Sequence, residues 1–242
     1  MKTTLKSVIC ITLFFTTIAN AQWYLKDRIK GNGKMITEQR NTTSYDEINV
    51  SGFLDVELVS GKEGNISIYG EENIVSYIKI EVKGSALKIY TDKNISISTG
   101  KKLVITVPFE SINSISLTGS GGIVSKNTIK SAHFATKLTG SGDIKLTVEA
   151  SKTEASLNGS GNIILKGNAK DFMSKIAGSG NIEAYAFRVE NADVSIAGSG
   201  DTSVFCTNNI KARVSGSGNI DYKGNPKTKD TKVNGSGDIT QK

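Results

Sequence analysis

One tripeptide constrains this chain more than anything else in it. Gly-Ser-Gly begins at Gly119, Gly140, Gly159, Gly178, Gly198, Gly216 and Gly235, at intervals of 18 to 21 residues. Six of the seven copies continue with Asn or Asp, at Asp143, Asn162, Asn181, Asp201, Asn219 and Asp238; the first copy has Gly122 instead. Six then place Ile (123, 144, 163, 182, 220 and 239), with Thr202 as the exception. Two residues before each first Gly stands an aliphatic: Leu117, Leu138, Leu157, Ile176, Ile196, Val214 and Val233. Seven copies in one register define a repeated structural unit.

The flanks of the tripeptide alternate with period two, as in Ile144-x-Leu146-x-Val148 and Val194-x-Ile196. That alternation predicts strands with one buried face. A unit of about 19 residues is too short for a four-stranded propeller blade and lacks the spacing of leucine-rich repeats, but it suits one coil of a β-solenoid. Coils of this kind stack roughly 4.8 Å apart. Each sharp corner needs dihedral angles that Gly supplies and leaves little room for side chains. Stacked Asn and Asp can bond neighbouring backbone, and stacked Ile fills the interior.

The sequence therefore predicts an all-β, single-stranded, right-handed parallel β-helix, the hand following the general rule for parallel crossovers. Residues 42–117 alternate without the motif, in Leu54-x-Val56-x-Leu58, Ile66-x-Ile68, Ile78-x-Ile80-x-Val82, Leu87-x-Ile89 and Leu103-x-Ile105-x-Val107. They read as irregular first coils that run without a linker into the repeats of 118–242, one solenoid over 42–242. A single helical turn is expected within Glu71–Tyr77, a polar leader arm over 22–41, and an incomplete or exposed last coil. Residues 1–21 read as a signal peptide: Lys2 and Lys6 precede the apolar Val8–Ile18, and Ala19-Asn20-Ala21 forms a small-x-small cleavage site. That apolar run is short for a membrane span, and no later segment is apolar enough to make one.

This pattern resembles the head GIN domain family of exported Bacteroidota proteins, described as auto-transporter adhesins. The resemblance runs from about Tyr45 onward. It rests on Tyr45-Asp46-Glu47-Ile48-Asn49-Val50, on Asp55-Val56-Glu57-Leu58, on Leu103-Val104-Ile105-Thr106-Val107-Pro108, and on the Gly-Ser-Gly-Asn-Ile array that follows. It implies a parallel β-helix at the cell surface or in the periplasm, and it brings no catalytic residues with it.

Chemistry-bearing residues are sparse. One His and two Cys, one of them inside the expected signal peptide, leave little for a metal site or a His-dependent triad. No cofactor is expected. Calcium-binding β-rolls use a nine-residue Asp-bearing repeat, whereas only three of seven motif positions here are Asp, so an Asn/Asp ladder is the favoured reading. His133 reads as a lone surface or half-buried side chain and Cys206 as a small inward hydrophobe. Glu183 and Asp221 occupy equivalent outward positions two coils apart, read as a solvated pair rather than an acid/base pair. The formal charge of +7 falls by two lysines on cleavage and is spread along the chain, which argues against a nucleic-acid partner.

One outward row is distinctive. Three residues before each motif from the second onward stand Lys137, Ser156, Lys175, Ser195, Arg213 and Lys232. Interposed Ser relieves repulsion between like charges on adjacent coils. The same row makes a basic strip, Lys137, Lys175, Arg213 and Lys232, for acidic surface polysaccharide or lipopolysaccharide phosphates. The expected function is a non-enzymatic, exported binding or scaffold module of the cell envelope. The alternatives are a polysaccharide-active β-helix enzyme, which would need clustered carboxylates, and a structural spacer without a ligand.

Overall fold

The computed structural model describes residues 27–92 and 95–242. The expected signal peptide and the first part of the expected leader arm lie outside these residues. The rest of that arm is not a free polar segment: it carries β1 (Asp27–Lys30) and β2 (Met35–Asn41). The motif-free region contains β3 (Glu47–Gly52), β4 (Asp55–Ser60), β5 (Asn65–Glu71), the short helix α1 (Glu72–Val75), β6 (Ile78–Lys83), β7 (Ala86–Thr91), β8 (Ile95–Ser98) and β9 (Val104–Phe109). The repeats begin with β10 (Ser114–Gly119) and β11 (Gly122–Ser125), followed by β12 (Ile129–Gly140). Four long strands come next, β13 (Asp143–Gly159), β14 (Asn162–Gly178), β15 (Asn181–Gly198) and β16 (Thr202–Gly216). The chain closes with β17 (Asn219–Lys223), β18 (Thr228–Gly235) and β19 (Asp238–Gln241).

From β13 to β16 one strand, bent at its corners, makes one whole coil and pairs in parallel with the next, with register shifts after Ile164 and after Ala184 and Val189 that absorb the unequal coil lengths, and Ile144, Ile163 and Ile182 lie in one column. Ile163, Ile182 and Ile220 are fully buried, while Lys175 faces solvent and Arg213 is half-buried on the outer surface. The interior is one continuous cluster running the length of the stack, with Phe172 and Phe187 meeting edge to face at 5.4 Å. Each fully buried aliphatic in such a column contributes roughly 1.5–3 kcal/mol.

The corner explains the tripeptide. The Gly159 carbonyl accepts two hydrogen bonds from the next coil, from the Ser179 amide at 2.9 Å and the Gly180 amide at 3.0 Å. Gly178 adopts φ +133°, and a Cβ on it would be driven into that same Gly159 oxygen. A Cβ on Gly180 would meet the Gly161 carbonyl in the same way. Coils can approach this closely only where the residue of the later coil has no side chain.

The first coils are not wound in sequence order, as a single continuous solenoid would require. The coil of β3 and β4 lies in the middle: β3 pairs with β10 on one side and β7 on the other, and β4 pairs with β11 and β9. The chain therefore makes one coil, adds the next on its outer side, then returns across it to start the repeats. Antiparallel strands finish that outer end: β6 lies on β7, and β5 lies on β9 with β2 beyond it. α1 supplies the expected helical turn. A separate parallel pair joins β1 to β8. Among the described residues no helix is long and apolar enough to cross a membrane.

Candidate functional site

Stacking turns each repeat position into a row along the axis. The residue after each Gly-Ser-Gly makes a side-chain ladder. Asn162 donates to Asp143 at 2.9 Å, Asn181 to Asn162 at 3.2 Å, and Asn219 to Asp201 at 2.9 Å. The Asp201 and Asp238 backbone amides donate to Asn181 and Asn219, each at 3.1 Å. Side-chain oxygens of Asp143, Asn162, Asn181, Asp201 and Asn219 are thus engaged by neighbouring coils. Among the described residues no group of three or more His, Cys, Asp and Glu comes together in a way that could hold a metal.

The basic row lies on the other side of the same corner. The register aligns Lys137, Ser156, Lys175, Ser195, Arg213 and Lys232 in one line across six coils. They form one side of an open groove of about 610 Å³. Two residues further along each strand, Asn158, Ala177, Ala197, Ser215 and Asn234 form its other side. These small exposed side chains leave the trough open beside the cations.

A third row, two residues before the basic one, contains Glu154, Met173, Asp193, Lys211 and Asp230 in register. Its carboxylates are tied to cations. Glu154 bonds Lys152 at 2.6 Å, Asp193 bonds Lys211 at 3.0 Å, and Asp230 pairs with Arg213. The hydrogen bond from Lys152 lowers the Glu154 pKa, with Lys175 adding a further attraction; that from Arg213 lowers the Asp230 pKa. Of the four expected site cations, Arg213 is therefore engaged within the protein, whereas Lys137, Lys175 and Lys232 enter no ion pair among the described residues. The carboxylate row and the small-residue row went unnoticed in the sequence, although the period-two alternation that located the lysines also locates positions two residues to either side.

Glu183 and Asp221 share a row on the other flank of the corner, with Ser203 between them. They line a more polar cleft with Asp201, Asn219, Tyr185 and Lys242. Desolvation, then the Asp221 charge, raises the Tyr185 pKa, and Lys223 covers the Tyr185 ring at 4.3 Å. Asp221 pairs with Lys242 at 3.4 Å. His133 is exposed and Cys206 is buried.

A parallel stack with an N-terminal antiparallel end, a glycine corner and outward polar rows defines the class of β-solenoid repeat proteins. The chain belongs to the family described as "Putative auto-transporter adhesin, head GIN domain", whose model matches residues 44–226. A crystal structure of a "putative adhesin" from Bacteroides fragilis is similar, with 28% identity, a TM-score of 0.83, and coverage of 88% of this chain and 100% of that one. A "putative lipid binding protein" from Parabacteroides distasonis shares 28% identity with a TM-score of 0.74, covering 89% of this chain and 100% of that one. A "putative adhesin" from Parabacteroides merdae, at 23% identity and a TM-score of 0.76 over 89% of this chain and 99% of that one, shares the fold. The comparison with curated proteins finds no match.

Proposed function

We propose that this chain is an exported, non-enzymatic adhesin of the cell envelope that holds an acidic surface glycan, a polysaccharide or the phosphate-bearing sugars of lipopolysaccharide, along the Lys137–Lys232 groove. The observation that carries this reading is the alignment of four cations from separate coils along one open trough beside small side chains. A rigid row of charges steers and orients a linear polyanion. The family's adhesin description supports contact with surface molecules. A lipopolysaccharide ligand would also fit the lipid-binding name carried by the Parabacteroides distasonis neighbour. The apolar run of 8–18 with its small-x-small site supports export through the inner membrane.

The test is retention of the mature protein on acidic-polysaccharide and lipopolysaccharide columns at two salt concentrations. The parent should be retained at low salt and released as salt rises, because exposed charges are screened over about 10 Å at 0.1 M. Reversing Lys137, Lys175, Arg213 and Lys232 to Glu should abolish retention and leave the β spectrum unchanged. Co-elution of parent and reversed protein at low salt would refute the groove as the binding surface.

A further inference from the structure

The basic row does not end where the groove does. Lys137 stands in register with Ser116 of β10, Ser116 with Asn49 of β3, and Asn49 with Lys88 of β7. These pairings are parallel, so one outward row crosses nine strands without a break, from Lys88 to Lys232. It stops at Glu81, opposite Lys88 on antiparallel β6, whose carboxylate is held by Lys83 at 2.9 Å and the Tyr90 hydroxyl at 3.2 Å. Lys88 itself enters no ion pair among the described residues. Between Lys88 and Lys137 the Ser116 hydroxyl donates to the Asn49 side-chain oxygen, and the Asn49 amide nitrogen is a donor suited to an anion. The shelf of small side chains continues as well: Ser51, Thr118 and Thr139 align with Asn158. The carboxylates of this face lie in the row on the far side of the lysines, where Glu47 shares a line with Glu154.

Coils are spaced roughly 4.8 Å apart, so the row is about 40 Å long. Its lysines without an ion pair among the described residues are Lys88, Lys137, Lys175 and Lys232. Successive members of this set stand about 14, 10 and 14 Å apart along the row. Arg213, between the last two, is bound to Asp230. No two of the four lysines lie on adjacent strands. A compact anion, such as one phosphate group, therefore meets one lysine at a time, and a single exposed charge pair contributes little in water. A chain that spans the row gains from each lysine in turn, because after the first contact the rest meet it at high effective concentration. In an extended glycan one ring advances the chain by about one coil spacing, so contact from Lys88 to Lys232 takes about nine rings.

We infer that the binding site is a strip over nine strands, from Lys88 to Lys232, and that its ligand is a linear acidic polysaccharide held along its length rather than a compact phosphate group. This inference rests on the glycan-binding reading above and narrows its ligand to a polymer. The experiment is calorimetry on the mature protein with three probes: hyaluronate fragments of four rings and of ten rings, and inorganic phosphate. The ten-ring fragment should bind about a hundredfold more tightly than the four-ring one, and phosphate should not bind. Lys88→Ser should weaken the ten-ring fragment about fivefold and leave the four-ring one, which fits within the groove, nearly unchanged. Lys145→Ser removes the same charge from the other flank of the corner and should change neither. Circular dichroism checks that both variants keep the β fold. If the ten-ring fragment binds no more tightly than the four-ring one, or binds Lys88→Ser as tightly as the parent, the extended strip is overturned while glycan binding in the groove stands. If phosphate binds and hyaluronate does not, the polymer is overturned and the phosphate form of the earlier reading stands. If none of the three binds, both readings fail.

Discussion

Thr202 stands in a column of isoleucines, between Ile182 and Ile220. It is buried, and its hydroxyl makes no hydrogen bond to the protein. A buried hydroxyl without a partner costs free energy that an apolar group of the same shape does not. Thr202→Val should therefore stabilise the fold by about 1 kcal/mol, read as a higher urea midpoint at unchanged slope; a lower midpoint would show that the hydroxyl is bonded in solution. The sequence marked Thr202 as the odd member of its row, because a strict repeat exposes its exceptions. It concealed another copy of the same corner. Gly52-Phe53-Leu54-Asp55-Val56 lies in register with Gly119-Ser120-Gly121-Gly122-Ile123. Here Phe replaces Ser and Leu replaces the second Gly. The reason is steric. A Cβ on Gly121 would run into the backbone of Leu54, the coil behind it. No glycine corner stacks behind Leu54, so its side chain is free to enter the core, where it is fully buried.

At the scale of elements, individual strands were legible and their neighbours were not. Alternation located β4 through Leu54-x-Val56-x-Leu58 and β7 through Leu87-x-Ile89, because one buried face imposes period two whatever lies beside it. For the same reason alternation says nothing about which strand is the neighbour, and the placing of β3 between β7 and β10 left no trace in it. Residues 27–41 were missed because their strands bury little: most of β2 is only half-buried. What fixes this region is a polar node. Glu71, at the end of β5, is only 3% exposed and accepts hydrogen bonds from the Gly33 amide at 2.7 Å and the Thr99 hydroxyl at 2.6 Å. The Thr99 bond, with help from the Gly33 amide and the Lys101 charge, lowers its pKa below the ordinary 4.5. A carboxylate with a depressed folded pKa contributes stability above its unfolded pKa and loses it as pH falls through the folded one. The protection of amides around Gly33 and in β8, their exchange rates corrected for the intrinsic effect of pH, should therefore fall reversibly as the pH drops below about 4.5. Glu71→Gln should show faster exchange already at neutral pH. Protection in the parent that is insensitive to acid would contradict this role for Glu71.

For the molecule as a whole, the two ends of the stack are finished differently. At the N-terminal end antiparallel β2 and β6 complete the two faces, so no parallel coil follows. At the other end β18 and β19 pair on one side only, and every residue of β18 is exposed. Here the chemistry of the interior changes. Lys229 stands in register with Ile210 and Thr231 with Ala212, polar side chains at positions that carry buried apolar ones in the coil before. Lys229 donates to Gln241 at 2.7 Å, Gln241 donates to the Gly224 carbonyl at 2.9 Å, and the Lys229 ammonium lies 5.8 Å from the centre of the Tyr222 ring. This network lies over Tyr222 at the end of the core. An open parallel edge is a template for another strand, and charge at an inward position is one way proteins block it. Repeat stacks in general need a polar terminal unit to stay soluble. The triple variant Lys229→Ile, Thr231→Val, Gln241→Val restores the aliphatic columns to the last coil and removes the block. It should keep the β spectrum and associate end to end, with a sedimentation coefficient that rises with concentration, while the parent's stays constant. The Thr202→Val protein is the control, since it alters the same kind of column away from the edge and should sediment like the parent. A triple variant that sediments like the parent at every concentration would show that the main-chain geometry of β18 and β19, rather than Lys229 and its partners, keeps the edge from pairing.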